Sequence, residues 1–127
     1  MKKSTIIKVT LALTLCLLTL ILCHFCTHDV RVNFRQNSNR YIYEFAYLDG
    51  EYKTEVNLAE GKNIDIISDF EGGKYSLSIK RNDGMYMFNE RNMEPNSFGL
   101  IVPADGKYTF KISGHKIKGK FEIVVLN

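Results

Sequence analysis

The stretch "ADGKYTFKI", Ala104 to Ile112, decides the fold. Asp105-Gly106 is the residue pair of a tight turn, where glycine takes the positive φ that side chains resist. Directly behind it, Tyr108, Phe110 and Ile112 alternate with Thr109 and Lys111. An extended strand sends successive side chains to opposite faces, so this period of two gathers three large apolar groups on one side. The polar groups are left facing water.

The same pattern recurs in both directions along the chain. "VRVNF" sets Val30, Val32 and Phe34 against Arg31 and Asn33, and "YKTEVNL" sets Tyr52, Thr54, Val56 and Leu58 against Lys53, Glu55 and Asn57. "YSLSI" aligns Tyr75, Leu77 and Ile79, while "KFEIVV" aligns Phe121, Ile123 and Val125. Asp49-Gly50, Gly72-Gly73 and Asp83-Gly84 punctuate these runs as turn signals. No run between Thr27 and Asn127 has a helical period. The spacing predicts an all-β fold: an antiparallel β-sandwich, jelly-roll-like or Ig-like, of about eight strands. It fills residues 41–127, with a juxtamembrane segment and the first strand in 27–40. "RQNSNR" (Arg35 to Arg40) reads as a loop, "NERNMEPNS" (Asn89 to Ser97) as a polar crossover between sheets, and "SGHKIKGK" (Ser113 to Lys120) as a hairpin tip.

Ahead of this domain, residues 1–26 read as a signal peptide or membrane anchor. "MKKSTIIK" is basic, and Val9 to Cys23 carries no charge, which is the pattern of an export signal or a short hydrophobic helix. "LILC", Leu20 to Cys23, resembles the bacterial lipobox, with Leu three residues before the cysteine, though Leu22 stands where Gly, Ala or Ser is usual. Cys23 is therefore the candidate lipid attachment site. Cleavage, lipidation and an uncleaved anchor all stay open. Each sends the folded domain to the extracytoplasmic side, tethered to the cell membrane or secreted.

Charge and cysteine placement exclude several classes. The chain has 17 Lys and Arg against 14 Asp and Glu, but Lys2, Lys3 and Lys8 precede the apolar run and every acidic residue follows it. The rest balances at zero, so no nucleic-acid partner is expected. Cys16, Cys23 and Cys26 all lie in or beside the apolar run, which leaves the domain without a disulfide. Thr27 separates Cys26 from His28 and so breaks the Cys-x-x-Cys-His of a c-type haem site. His115 is too little to complete a zinc site with them, and neither metal nor cofactor is expected.

The ordered series "VNLAEGKNIDI", "GGKYSLSIKRNDGM", "VPADGKYTFKISG" and "GKFEIVV" resembles the bacterial pre-peptidase C-terminal domain and related small exported β-sandwich modules, over Tyr52 to Val125. The resemblance implies a non-catalytic accessory module. Related collagen-binding modules hold calcium, but Asp65, Asp69 and Glu71 are too dispersed for such a site.

Two rows are candidate binding features. Lys116, Lys118 and Lys120 recur every second residue and would share one strand face, suited to an anionic surface. Tyr41, Tyr43, Phe45 and Tyr47 form an aromatic row that could stack on sugar rings. His115 has no companion for nucleophilic catalysis. The expected function is a non-catalytic binding or interaction module of the bacterial cell envelope. Its partners are the membrane, through the N-terminal segment, and an envelope polymer, lipid or protein. A structural subunit of an envelope complex and a small hydrolase are the alternatives.

Overall fold

The computed structural model describes residues 29–126 together with Lys8, Thr10, Leu13 and Thr14. Cys23 and the rest of the apolar run lie outside the described residues. Among those described, no helix is long and apolar enough to cross a membrane.

Seven strands follow in order: β1 (Val30–Asn37), β2 (Arg40–Leu58), β3 (Asn63–Glu71), β4 (Tyr75–Arg81), β5 (Tyr86–Met93), β6 (Ser97–Ile101) and β7 (Gly106–Val125). All pairings are antiparallel. The order β1-β2-β7-β3-β6 forms one path, and β4 joins β7 and carries β5. The count is seven where about eight are expected, and two pairs of expected strands are continuous. Gly50 lies within β2 rather than in a hairpin turn, and "SGHKIKGK" lies inside β7 rather than at a tip.

These two long strands fold the sheet over on itself. The first half of β2 pairs with the last third of β7 (Arg40↔Val124 to Phe45↔Gly119), and the second half pairs with its beginning (Gly50↔Gly114 to Leu58↔Gly106). Register shifts between Phe45 and Gly50 mark the bend. β3 lines the far side of one half of β7 and β4 the far side of the other. One layer is thus β1, β2, β7, β3 and β6, and the second is β2, β7, β4 and β5.

The layers face each other. The Tyr43 hydroxyl lies 2.8 Å from the Thr54 hydroxyl across the fold of β2. Phe45 meets Tyr52 edge-on at 5.5 Å, and at the opposite side Phe88 of β5 stacks on Phe98 of β6 at 5.0 Å. Between them Ile64, Ile66, Ile79, Phe110, Ile112, Phe121 and Ile123 are wholly buried. The inward sets of "YTFKI" and "YSLSI", with Phe121 and Ile123 of "KFEIVV", are therefore in the core, and Val125 is only half-buried against it. This antiparallel, sandwich-like section buries alternate residues of nearly every strand, the arrangement that supplies most folding free energy in a domain without disulfides.

Two positions make the bend possible. A Cβ on Gly119 would lie 2.0 Å from the Asp69 carbonyl oxygen, and its φ is +146°, so only glycine fits there. Gly114 leaves room for the Ile117 side chain, whose Cδ1 would be 2.3 Å from a Cβ at that site.

The link from β5 to β6 crosses between layers, as expected, but it is shorter. β5 absorbs Asn89 to Met93, leaving Glu94, Pro95 and Asn96 as the connector. Asn96 is clamped: its N–H donates to the Ser68 hydroxyl (2.9 Å), which donates to the Tyr75 hydroxyl (2.9 Å), which in turn donates to Asn96 Oδ1 (3.1 Å). The expected loop Arg35 to Arg40 is likewise mostly strand, with Ser38 and Asn39 alone forming the turn.

Candidate functional site

The outer face of the second layer is built from side chains that alternate with the core. Because Tyr52, Leu77, Phe110 and Ile112 point inward, their neighbours point out, and the strand register sets these in rows. One row runs Lys53, Lys111, Ser78 and Asn89 across β2, β7, β4 and β5. On one side of it lie Glu51, Ser113 and Ser76, and on the other Glu55, Thr109, Lys80 and Tyr86.

Two adjoining depressions open on this face. One of 290 Å³ reaches Glu51, Ser76, Asn89 and Arg91, and one of 310 Å³ reaches Lys53, Lys80, Arg81 and Thr109. They share Ser78, Tyr86 and Lys111. Tyr86 is 53% exposed, unusual for a large ring, and the Lys80 ammonium sits 5.4 Å from its centroid. The floor is of small hydroxyl side chains, so a ligand can approach the backbone plane closely.

The polar groups here are largely unspent. Among the described residues, the hydroxyls of Ser78, Thr109 and Ser113 make no side-chain hydrogen bond, and Lys53, Lys80 and Arg91 have no carboxylate partner. Lys111 reaches Glu51 only at 3.9 Å. The first layer's outer face differs. There Arg35 pairs with Glu44, Arg40 and Lys120 both pair with the buried Glu122 (3.6 and 3.0 Å), and Lys118 pairs with Glu71 at 3.6 Å. The second layer's face also holds ion pairs, Lys107 with Glu55 at 3.5 Å and Arg81 with Asp83 at 3.6 Å, but it keeps Lys53, Lys80 and Arg91 and three hydroxyls available.

The residues singled out from sequence lie elsewhere. Tyr43 and Phe45 are 1% and 3% exposed, so the aromatic row is core and offers no continuous stacking surface. The bulge beyond Phe45 also reverses the alternation, burying Leu48 instead of Tyr47. Burial pushes the Tyr43 phenol pKa up, against a smaller opposing effect of its hydrogen bond to Thr54. Lys116, Lys118 and Lys120 do not form one free row. Lys116 has φ 53°, which breaks the strand alternation, and the other two are held by Glu71 and Glu122. His115 is exposed at the bend, with Nδ1 3.1 Å from Asp49 Oδ1. Among the described residues no three His, Cys, Asp or Glu side chains gather as metal ligands. The groove itself was missed. Its sequence signal is the outward serines of "YSLSI", which leave gaps where an ordinary exposed sheet carries long or β-branched groups.

No protein-family model and no curated protein matches the chain, so the pre-peptidase C-terminal resemblance gains no support from them. Solved structures do match. Salmonella Typhimurium PliG, a periplasmic inhibitor of g-type lysozyme, is 15% identical over 75% of this chain and 95% of its own, with a TM-score of 0.49. The Aeromonas hydrophila PliG is 13% identical over 75% and 93%, at 0.48. The C-terminal CBM6 of LamC from Zobellia galactanivorans is 12% identical over 78% and 91%, at 0.43. At these values nothing of what those proteins bind carries over to this chain.

Proposed function

We propose that this chain is a non-catalytic binding module, displayed on the extracytoplasmic side by its N-terminal segment, that holds a hydroxyl-rich polymer on the outer face of the second layer. The observation that carries this is the contrast between the two outer faces. Unpaired hydroxyls and three cations without a carboxylate partner, Lys53, Lys80 and Arg91, line two joined depressions around an exposed tyrosine on one, while the cations Arg35, Arg40, Lys118 and Lys120 of the other are held in ion pairs. Hydroxyl groups of a ligand find donors and acceptors at Ser78, Thr109, Ser113 and Asn89, and the Tyr86 ring supplies an apolar face for a sugar ring. Catalysis is left out because no histidine lies among the lining residues to activate the groove's serines and threonine as nucleophiles. The N-terminal apolar run and Cys23 supply the tether in this reading.

The test is affinity electrophoresis of the full chain in mild detergent through gels carrying a panel of neutral and acidic polysaccharides. Retardation by at least one polymer, weakened about fivefold in Tyr86→Ala, is the expected result, since an exposed ring contact is worth on the order of 1 kcal/mol. Migration unchanged by every polymer would remove the proposal.

A further inference from the structure

Resting on that reading, we infer that the polymer is an acidic polysaccharide whose carboxylate seats between Lys53 and Lys111. These two residues are direct register partners on adjacent antiparallel strands. Side chains so placed lie about 5 Å apart at Cβ, and like charges there repel, so an unmodified sheet surface disfavours the pair. Here the repulsion is left standing. Lys53 has no carboxylate partner among the described residues, and Glu51 touches Lys111 only at the 3.9 Å limit of an ion pair. The neighbour of Lys111 on its other side is Ser78, whose hydroxyl is unspent and can donate to the same anion.

The surrounding charge extends the argument from an ion to a chain. The lining of the two depressions holds five cations (Lys53, Lys80, Arg81, Arg91 and Lys111) against two anions (Glu51 and Glu90); Arg81 is paired with Asp83 at 3.6 Å, and Lys53, Lys80 and Arg91 have no carboxylate partner among the described residues. The domain as a whole is balanced, so this is a local concentration of positive charge. Rows two residues apart along a strand are separated by about 7 Å, so the three rows span about 13 Å. That is too long for one small anion and suits several linked sugars. Single-stranded nucleic acid is also anionic, but its sites carry successive aromatic platforms, and this face has Tyr86 alone.

Binding of the full chain to polygalacturonate, to the same polymer with its carboxylates methyl-esterified, and to oligothymidylate separates the possibilities. The expected result is retention by polygalacturonate that falls steeply between 50 and 300 mM salt, with at most a tenth of that affinity for the esterified polymer. Lys53→Gln and Lys111→Gln, each checked for an unchanged circular dichroism spectrum, lose tenfold or more, while the triple variant Lys116→Gln, Lys118→Gln, Lys120→Gln keeps full affinity. Equal retention by the esterified polymer overturns the inference and leaves the proposed function standing. Retention by no polysaccharide overturns both. Tighter binding of oligothymidylate, or equal loss in the triple variant, overturns the assignment to this groove and ligand class.

Discussion

Lys53 and Lys111 stand opposite each other across β2 and β7, in the centre of a face that leaves their charges largely uncompensated. An arrangement that costs stability in the free protein makes a stability measurement informative about function. Lys53→Glu converts the repulsive pair into an attractive one, which cross-strand pairs value at about 0.2–1 kcal/mol. The variant should therefore be more stable in urea at low salt, by about 0.5 kcal/mol, with the gain shrinking at 1 M salt as screening removes it. A variant less stable than the parent at low salt would mean that the pair is already neutralised within the protein.

The bend of β7 is more demanding. Gly119 combines φ +146° with a would-be Cβ 2.0 Å from the Asp69 carbonyl oxygen, and that oxygen belongs to the backbone of β3 and cannot turn aside. Gly119→Ala should destabilise the domain by about 3 kcal/mol or more, through forced separation of β3 and β7. Gly61→Ala is the comparison: φ is +81° but nothing lies within 4 Å, so its cost should be near 1 kcal/mol. Equal urea midpoints for the two variants would show that close approach of the strands is not what requires glycine at 119.

Much of this fold is legible in the sequence, because a strand with one buried face writes its burial as a period of two. "YTFKI" and "YSLSI" announce which residues enter the core, and each does; in "KFEIVV" Phe121 and Ile123 enter it, while Val125 is half-buried and Glu122 and Val124 are buried on the other face. What alternation cannot announce is continuity. Asp49-Gly50 reads as a hairpin turn, yet Gly50 pairs with Gly114 inside a strand that bends, because glycine serves a bulge as readily as a turn. The same ambiguity hides the parity reversal after Phe45, which buries Leu48 in place of Tyr47. The groove is illegible for a different reason. It is assembled from four strands that are distant in the chain, and Lys53 and Lys111, 58 residues apart (111 − 53), come opposite each other only once the register is set.

Across the fold of β2, the Tyr43 hydroxyl and Thr54 hydroxyl lie 2.8 Å apart, joining the two layers at a partly buried point. Tyr43→Phe and Thr54→Val should each cost about 1 kcal/mol, and the double variant little more than either alone, because removing one partner already leaves the other unsatisfied. Additive losses in a double-mutant cycle would show that the two hydroxyls act through water instead of each other.

Alkaline pH should loosen the domain through two tyrosines. Burial raises the phenol pKa of both Tyr43 and Tyr75 above the ordinary value, since the phenolate is costly away from water; hydrogen bonds to Thr54 and Ser68 oppose this only in part. A raised folded-state pKa means that the unfolded chain releases its proton first. The contribution is therefore fully present below about pH 10, where both states are protonated, and is lost as pH rises through the folded values. Urea midpoints should hold level from pH 7 to 9 and fall as pH rises above about 10. Tyr75→Phe lowers stability at every pH, because it strips a partner from Ser68 and Asn96, yet it should make the alkaline fall shallower, and that slope is the readout. A slope unchanged by both Tyr75→Phe and Tyr43→Phe would show that neither buried phenol carries the alkaline loss.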